Sequence, residues 1–444
     1  MNSKVQFRSH TFRMRLGATA VTLLAAILVS FALMPTAWAQ TYKVLYNFTG
    51  GSDGAYPVAG LTMDANGTLY GITREGGLQT QYCYTGCGTV FKLVPRGSGW
   101  LFSSIYKFQD SPDGSSPEGA LVVTQDGALI GTTVSGGYGD GTVFKLTPPA
   151  TPCHNASCPW TETVIYCFSG SDGLAPKAGL VLDPDGNLYG TTMSGGSGSC
   201  YYGCGTAYKL SPAGDAWNYQ LVYAFQGQGD GSAPAAGLTF DSAGALYGTA
   251  MGGTPPAGTV FQLVRSESGW SENLLYRFLA REDGATPYAG VILDSRGNVY
   301  GTTPGSGPGP GLGAGSGGTV FELSPSIGDW IFSLVHSFTQ PPRGLGQAGP
   351  WAKLVMDPGG NLYGTTYREG AYLAGNVFKL TPVNGSWIYT SVYDFTGGID
   401  GGYPMSDIIL DAQGNLYGTA AAGGTGSACP NGSWGCGVVW QITP

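Results

Sequence analysis

Six Asp-Gly pairs are the residues of this chain whose type and spacing could first do chemistry. Asp53, Asp113, Asp172, Asp230, Asp283 and Asp400 each follow a Phe by five residues, or by four in one case, and each leads through a Pro into an apolar segment. At the corresponding seventh position stands Arg343, in "PPRGLGQAGP". Six carboxylates and one guanidinium around the mouth of a channel would hold a cation or a network of sugar hydroxyls. Asp-Gly is also a common turn dipeptide, and the turn reading outweighs the ligand reading because the pair is copied with its surroundings. A calcium loop needs carboxylates at alternating positions, which "SGSDGLAP" lacks, so no metal or other cofactor is expected.

Tyr82, Tyr84, Tyr201, Tyr202 and Trp434 lie in Gly-rich connections and are candidates for exposed rings that stack on a ligand. They sit among close cysteine pairs: Cys83/Cys87, Cys200/Cys204, Cys153/Cys158 and Cys429/Cys436, with Cys167 standing alone. In an exported chain such pairs read as local disulfides. Zinc is the rival. The C-x2-C knuckle spacing is absent, however, and only His154 and His336 remain beyond the N-terminal leader. His154 lies in a Cys-rich insertion, and His336 replaces a repeated Tyr in "LVHSF". Neither suits a nucleophile and base pair, so no catalytic residue is assigned. No phosphate-cradling Gly-rich loop precedes a helix. Paired acids of a glycoside hydrolase stay open, because acids from different repeats can converge in space.

One repeat must position all of these residues. "DPDGNLYGTT", Asp183 to Thr192, recurs with small changes seven times down the chain. Each copy carries four strand-like segments: an "AGLVLD" type, an "NLYGTT" type, a "GTVFKL" type and a Trp-led segment such as "WNYQLVYAF". Gly, Pro, Asp or Asn bounds each one. Units of about 55–60 residues with four antiparallel strands, repeated seven times, predict a seven-bladed all-β propeller. "TYKVLYNF" is a fourth strand with no first three, and the last unit has three strands and no fourth. Pairing them closes the ring and hides two strand edges. Residues 40–444 are therefore expected to form one domain, with 40–48 as its closing outer strand and the repeats running from 57 to 444. The repeated Trp100, Trp160, Trp217, Trp270, Trp330 and Trp387 are expected in the core. The Gly after the motif Tyr is expected to admit an adjacent blade.

The variable connections, between second and third segments and between units, leave such a blade on one face. That face is expected to carry function.

The first 39 residues differ from the rest. Lys4, Arg8, Arg13 and Arg15 precede an apolar run, and Ala37-Trp38-Ala39 offers a small-x-small cleavage site. We read residues 1–39 as a secretory signal peptide, which makes the mature protein secreted, periplasmic or surface-exposed, with no further membrane span. Its loss removes four basic and no acidic residues, taking the formal charge from −8 to −12. An acidic chain without basic runs argues against nucleic acid as a partner. A monomer that binds a glycan or a protein is expected. A carbohydrate-active enzyme and a structural scaffold of the cell envelope are the alternatives.

Units of the form "AGL.LD..GNLYGTT..GG...GTVFKL" resemble the GloVer tandem repeat of choice-of-anchor bacterial exported proteins, over nearly the whole of Thr41 to Pro444. The resemblance implies a bacterial exported protein and brings no catalytic residues with it. The units also look distantly like the propeller repeats of bacterial sensor ectodomains, which favours binding over catalysis by fold analogy.

Overall fold

Asp183 shows why the repeated decapeptide folds as it does. Its Oδ1 accepts the backbone N–H of Asp185 at 3.0 Å and of Asn187 at 2.8 Å, while Oδ2 accepts Asn187 Nδ2 at 2.7 Å and the Tyr189 hydroxyl at 3.3 Å. Gly186 supplies the positive φ, 82°, that the turn requires. One carboxylate thus closes the hairpin and anchors the Tyr of the strand that follows. The turn bond to Oδ1 and the Tyr hydroxyl bond to Oδ2 recur around Asp64, Asp241, Asp294, Asp357 and Asp411, and the Asn amide bond recurs at the last three.

The computed structural model describes residues 40–150, 160–253, 257–305, 317–339, 348–427, 429 and 434–444. These contain seven four-stranded antiparallel sheets and no helix. Blade 1 runs outward in chain order through Thr62–Met63, Leu69–Thr73, Thr89–Arg96 and Gly99–Lys107. Blades 2 to 6 repeat that order. Blade 7 takes Ile409–Leu410, Leu416–Ala420 and Val438–Thr443 from the C-terminus and Thr41–Asn47 from the N-terminus. Thr41 pairs with Thr443, Val44 with Trp440 and Asn47 with Val438, so the chain closes a seven-bladed propeller as its ends predict.

Aromatic rings hold each blade to the next. The last Phe of each outer strand meets the next blade's third-strand aromatic, as in Phe48–Phe91 at 5.2 Å, Phe108–Phe144 at 5.0 Å and Phe395–Trp440 at 5.9 Å. The outer-strand Trp meets the preceding blade's motif Tyr edge-on: Trp100–Tyr417, Trp160–Tyr70, Trp270–Tyr189, Trp330–Tyr247 and Trp387–Tyr300 all lie between 6.1 and 6.4 Å. Trp217 packs in one cluster with Ile130, which stands where blade 2 lacks the motif Tyr. Of the six Trp residues expected in the core, Trp160 is buried, and the other five are half-buried and pack against the core clusters. Each such pair contributes about 0.5–1.5 kcal/mol beyond its buried area.

The first Thr of "YGTT" adds a polar tie, because its hydroxyl donates to a carbonyl of the next blade. Thr132 reaches Ala178 O at 3.0 Å, Thr191 reaches Ala236 O at 2.9 Å, and Thr419 reaches Pro57 O at 3.0 Å across the closure.

The glycine after the motif Tyr corrects one expectation. A Cβ on Gly71 would lie 2.5 Å from Phe91 Cζ, and one on Gly364 would lie 2.6 Å from Phe378 Cζ. Both rings belong to the glycine's own blade. The glycine leaves room for the third-strand aromatic that crosses over it, and the atoms nearest to it are all of its own blade.

Candidate functional site

The six Asp-Gly carboxylates lie against the outer strands. Asp53 accepts the Tyr46 hydroxyl at 3.0 Å and the Thr49 N–H at 2.8 Å. Asp113 does the same with Tyr106 and Gln109, Asp230 with Tyr223 and Gln226, Asp283 with Tyr276 and Leu279, and Asp400 with Tyr393 and Thr396, at 2.6–3.2 Å. Asp172 accepts from Tyr166 and from Ser169 N–H. Each pair is a turn tied to the Tyr two residues before the last Phe, and none of the six lines the central cavity. Arg343, Cys153, His154 and Cys158 lie outside the described residues. His336 stacks on Tyr389 at 4.6 Å, as a packed substitute for Tyr would, and burial pushes its pKa down.

Past each Asp-Gly pair the chain turns inward through a residue of positive φ: Tyr56, Ser116, Ala175, Ala233, Thr286 and Tyr403. Left-handed geometry at a non-glycine residue is costly, so local bonds must hold it. The N–H of this residue donates to the preceding blade's loop, Tyr56 to Cys436 O at 3.0 Å, Ser116 to Cys87 O at 2.9 Å and Ala233 to Cys204 O at 2.8 Å.

Those acceptors belong to disulfides. Cys83–Cys87, Cys200–Cys204 and Cys429–Cys436 are bonded, with Cα–Cα distances of 5.2, 5.1 and 5.1 Å, and Cys167 is free. The loops they close carry the predicted aromatics into solvent: Tyr84 is 80% exposed, Tyr201 91%, Tyr202 70% and Trp434 52%, with Tyr82 at 74% beside the first loop. Tyr82, Tyr84 and the equally exposed Tyr138 of blade 2 flank a groove of about 710 Å³. Ser111, Ser115, Ser116, Ser135, Asp110 and Glu75 add polar groups to it.

A second cavity, of about 390 Å³, occupies the mouth of the central channel, and its lining was not foreseen from the sequence. The residue after the inward-turning Pro lines it in every blade: Val58, Glu118, Lys177, Ala235, Tyr288, Trp351 and Met405. Seven blades place seven different side chains at this one position. Two residues further on, five blades have Gly60, Ala120, Gly179, Gly237 and Gly290, while blades 6 and 7 have Lys353 and Asp407.

Glu118 bridges Arg74 at 3.1 Å and Lys177 at 2.9 Å. Burial alone would lower the Lys177 pKa, but the Glu118 carboxylate and Tyr288 hold it above its usual value. Lys177 also sits 5.2 Å from the Tyr288 ring. From Tyr288, rings continue through Trp351, Tyr367 and Tyr403 to Trp434, at successive centroid distances of 5.0, 6.1, 5.3 and 5.3 Å. The funnel therefore has a charged wall on blades 1 to 3 and an aromatic wall on blades 5 to 7 that ends at a disulfide loop. Among the described residues no group of three His, Cys, Asp or Glu is placed to hold a metal ion.

This architecture defines a β-propeller that presents loops and a funnel on one face. The chain belongs to the Gloeobacter/Verrucomicrobia repeat family, whose model matches residues 29–249, 155–344 and 309–444. Among solved structures, a fungal alcohol oxidase of the AA5 family in complex with copper matches at TM-score 0.54 and 14% identity, over 91% of this chain and 76% of that one. A structure described as the extracellular domain of a one-component system from B. thetaiotaomicron matches at 0.52 and 10% identity over 90% of this chain, which spans 39% of that chain's length. At such identities the likeness shows the fold alone. No curated protein matches the chain.

Proposed function

We propose that this protein is an exported propeller that binds a glycan on its variable-loop face. The observation that carries this reading is the set of three disulfide-closed loops that hold tyrosine and tryptophan rings out to solvent. Short covalent loops fix ring positions before a ligand arrives, so little ordering entropy remains to oppose binding. Rigid aromatics among Ser and Gly form the composition of evolved recognition surfaces. The Tyr82, Tyr84 and Tyr138 groove combines ring faces with serine hydroxyls and two carboxylates, the groups that a polyhydroxylated chain needs. Export follows from the leader and agrees with the disulfides. N-terminal sequencing of the secreted protein is expected to begin at Gln40.

The test is a glycan array of residues 40–444, with Tyr84→Ala, Tyr201→Ala and Trp434→Ala compared on whichever glycans bind. At least a tenfold loss in one variant, with unchanged melting temperature, is expected. An array with no hits, or three variants that bind as wild type does, overturns the proposal.

Catalysis on a carbohydrate is the second reading, favoured by Glu118 and Asp407. These are two acids from different blades that line one cavity at positions where the repeat carries other residues. It requires that bound glycan be cleaved and that Glu118→Gln stop the cleavage.

A further inference from the structure

Lys353 and Asp407 stand where five blades have only glycine or alanine, at the floor of the funnel. The Lys353 side chain passes Gly290 of blade 5, and its Nζ donates to Thr239 Oγ1 of blade 4 at 2.9 Å. Asp407 lies against Gly60 of blade 1, and its Oδ1 accepts the Lys353 backbone N–H at 2.8 Å. The ammonium thus reaches two blades round the channel, while the carboxylate stays beside the Lys353 backbone. They are not an ion pair, because among the described residues only four pairs lie within 4.0 Å and this is not one of them. Burial lowers the Lys353 pKa and raises that of Asp407, and each one's charge partly offsets the shift of the other.

A buried charge is normally paired. The charges on the wall above are paired with each other, since Glu118 already holds Arg74 and Lys177. The unmatched capacity therefore lies at the floor: an ammonium with one acceptor and a carboxylate with one donor, facing a common space. What fits is a small molecule that carries both an anion and a cation, with an apolar part for the Tyr288 and Trp351 rings above.

We propose that the funnel floor binds a free α-amino acid, its carboxylate on Lys353 and its ammonium on Asp407. The cavity, about 390 Å³, is at the small end of the range for ligand pockets. This site is separate from the rim loops and does not depend on their ligand.

The repeat itself supplies substitutions that other blades already tolerate: Lys353→Gly and Asp407→Gly. Calorimetry and thermal shift on residues 40–444 would compare L-phenylalanine with 3-phenylpropionate, which lacks the amine, and phenethylamine, which lacks the carboxylate. L-leucine, 4-methylpentanoate and isoamylamine form a second set, and glucose is the neutral control.

An amino acid is expected to bind at least about thirtyfold more tightly than either of its halves, and each glycine variant is expected to lose a similar factor. Tyr84→Ala is expected to leave that binding unchanged, which separates this site from the rim. The proposal is overturned if neither amino acid binds at millimolar concentration, if either half binds as well as its parent, if glucose binds instead, or if the glycine variants keep full affinity.

Discussion

Glu162 and Glu272 are single residues at which two blade junctions depart from the other five. Two positions after the outer-strand Trp, other blades carry a ring that stacks on the preceding outer strand: Phe102 on Tyr46 at 3.8 Å, Tyr219 on Tyr166 at 4.9 Å, Phe332 on Tyr276 at 4.6 Å and Tyr389 on His336 at 4.6 Å. Tyr42 does the same on Tyr393 at 3.9 Å. In blades 2 and 4 the equivalents are Glu162 and Glu272, beside the Asp113 and Asp230 turns. Burial, and then the neighbouring Asp, raise both pKa values to about 7. The folded state therefore holds protons that the unfolded chain releases near pH 4.5. The favourable contribution of the protonated form is present below that pH and is lost as pH rises through about 7. Glu162→Phe and Glu272→Phe restore the ring used elsewhere. Each is expected to stabilise by about 1 kcal/mol at pH 5 and by more at pH 8, read from denaturant midpoints. A larger gain at pH 5 than at pH 8 would show that neither carboxyl titrates as described. At Gly71, by contrast, Gly71→Ala drives a methyl to 2.5 Å from Phe91 Cζ and is expected to cost about 1–3 kcal/mol in the same measurement.

The disulfide loops show how an element can be rigid locally and inessential globally. Cys83–Cys87 and Cys200–Cys204 join residues four apart, the case in which loop closure restricts the unfolded chain least. Their cysteines pack into the edge of the core clusters and accept one backbone bond from the next blade, but strand pairing and the ring contacts at each junction lie elsewhere. Mild reduction is expected to leave the far-ultraviolet spectrum and the cooperative melt intact, with the melting temperature lowered by a few degrees. Glycan binding, if it uses the clamped rings, is expected to weaken in the same sample. A melt that loses cooperativity on reduction would show that the loops carry structure. At this scale the exposed aromatics and three cysteine pairs were legible before the fold was known, because a Tyr between two cysteines in a Gly-rich loop has no core to enter. The funnel was not. Recurrence drew attention to Asp53 and its five equivalents, and recurrence marks whatever every blade needs, here a turn tied to Tyr46 or its counterpart. The residues that face the channel are those on which the copies disagree. The column after each inward Pro, from Val58 to Met405, was visible as a variable position beside an invariant one, and Lys353 and Asp407 as charges in a column of small residues. Only the fold shows that both columns line one axis.

At the scale of the whole ring, stability rests on a joint between the two ends of the chain. Six blades are continuous in sequence, and only blade 7 borrows its outer strand. Thr41–Asn47 brings backbone pairing to Val438–Thr443, and the same segment places Tyr46 and Phe48 against Phe102 and Phe91 of blade 1. Removing residues 41–48 therefore takes away two things at once: the cover on a strand edge and the seam between blades 7 and 1. An uncovered edge is a template for another chain. The truncated protein 49–444 is expected to elute as oligomers in light-scattering chromatography and to melt without a single transition. Covalent closure should make the position of the break irrelevant. In blade 6 the pair Thr381 and Ile388 is equivalent to Thr443 and Thr41 of blade 7, and the ladder there runs on through Pro382–Trp387 and Val383–Ser386 to the turn at Asn384-Gly385. Joining Thr443 to Thr41 through the six residues that blade 6 uses there, Pro-Val-Asn-Gly-Ser-Trp, and opening the chain between Gly97 and Ser98 instead, moves the borrowed strand from blade 7 to blade 1 and keeps the blade 6 hairpin length. That permutant is expected to be monomeric and to melt within a few degrees of the wild type. If it fails to fold while the wild type folds, the blades are not interchangeable carriers of closure, and the N-terminal strand does something in blade 7 that Gly99–Lys107 cannot do in blade 1.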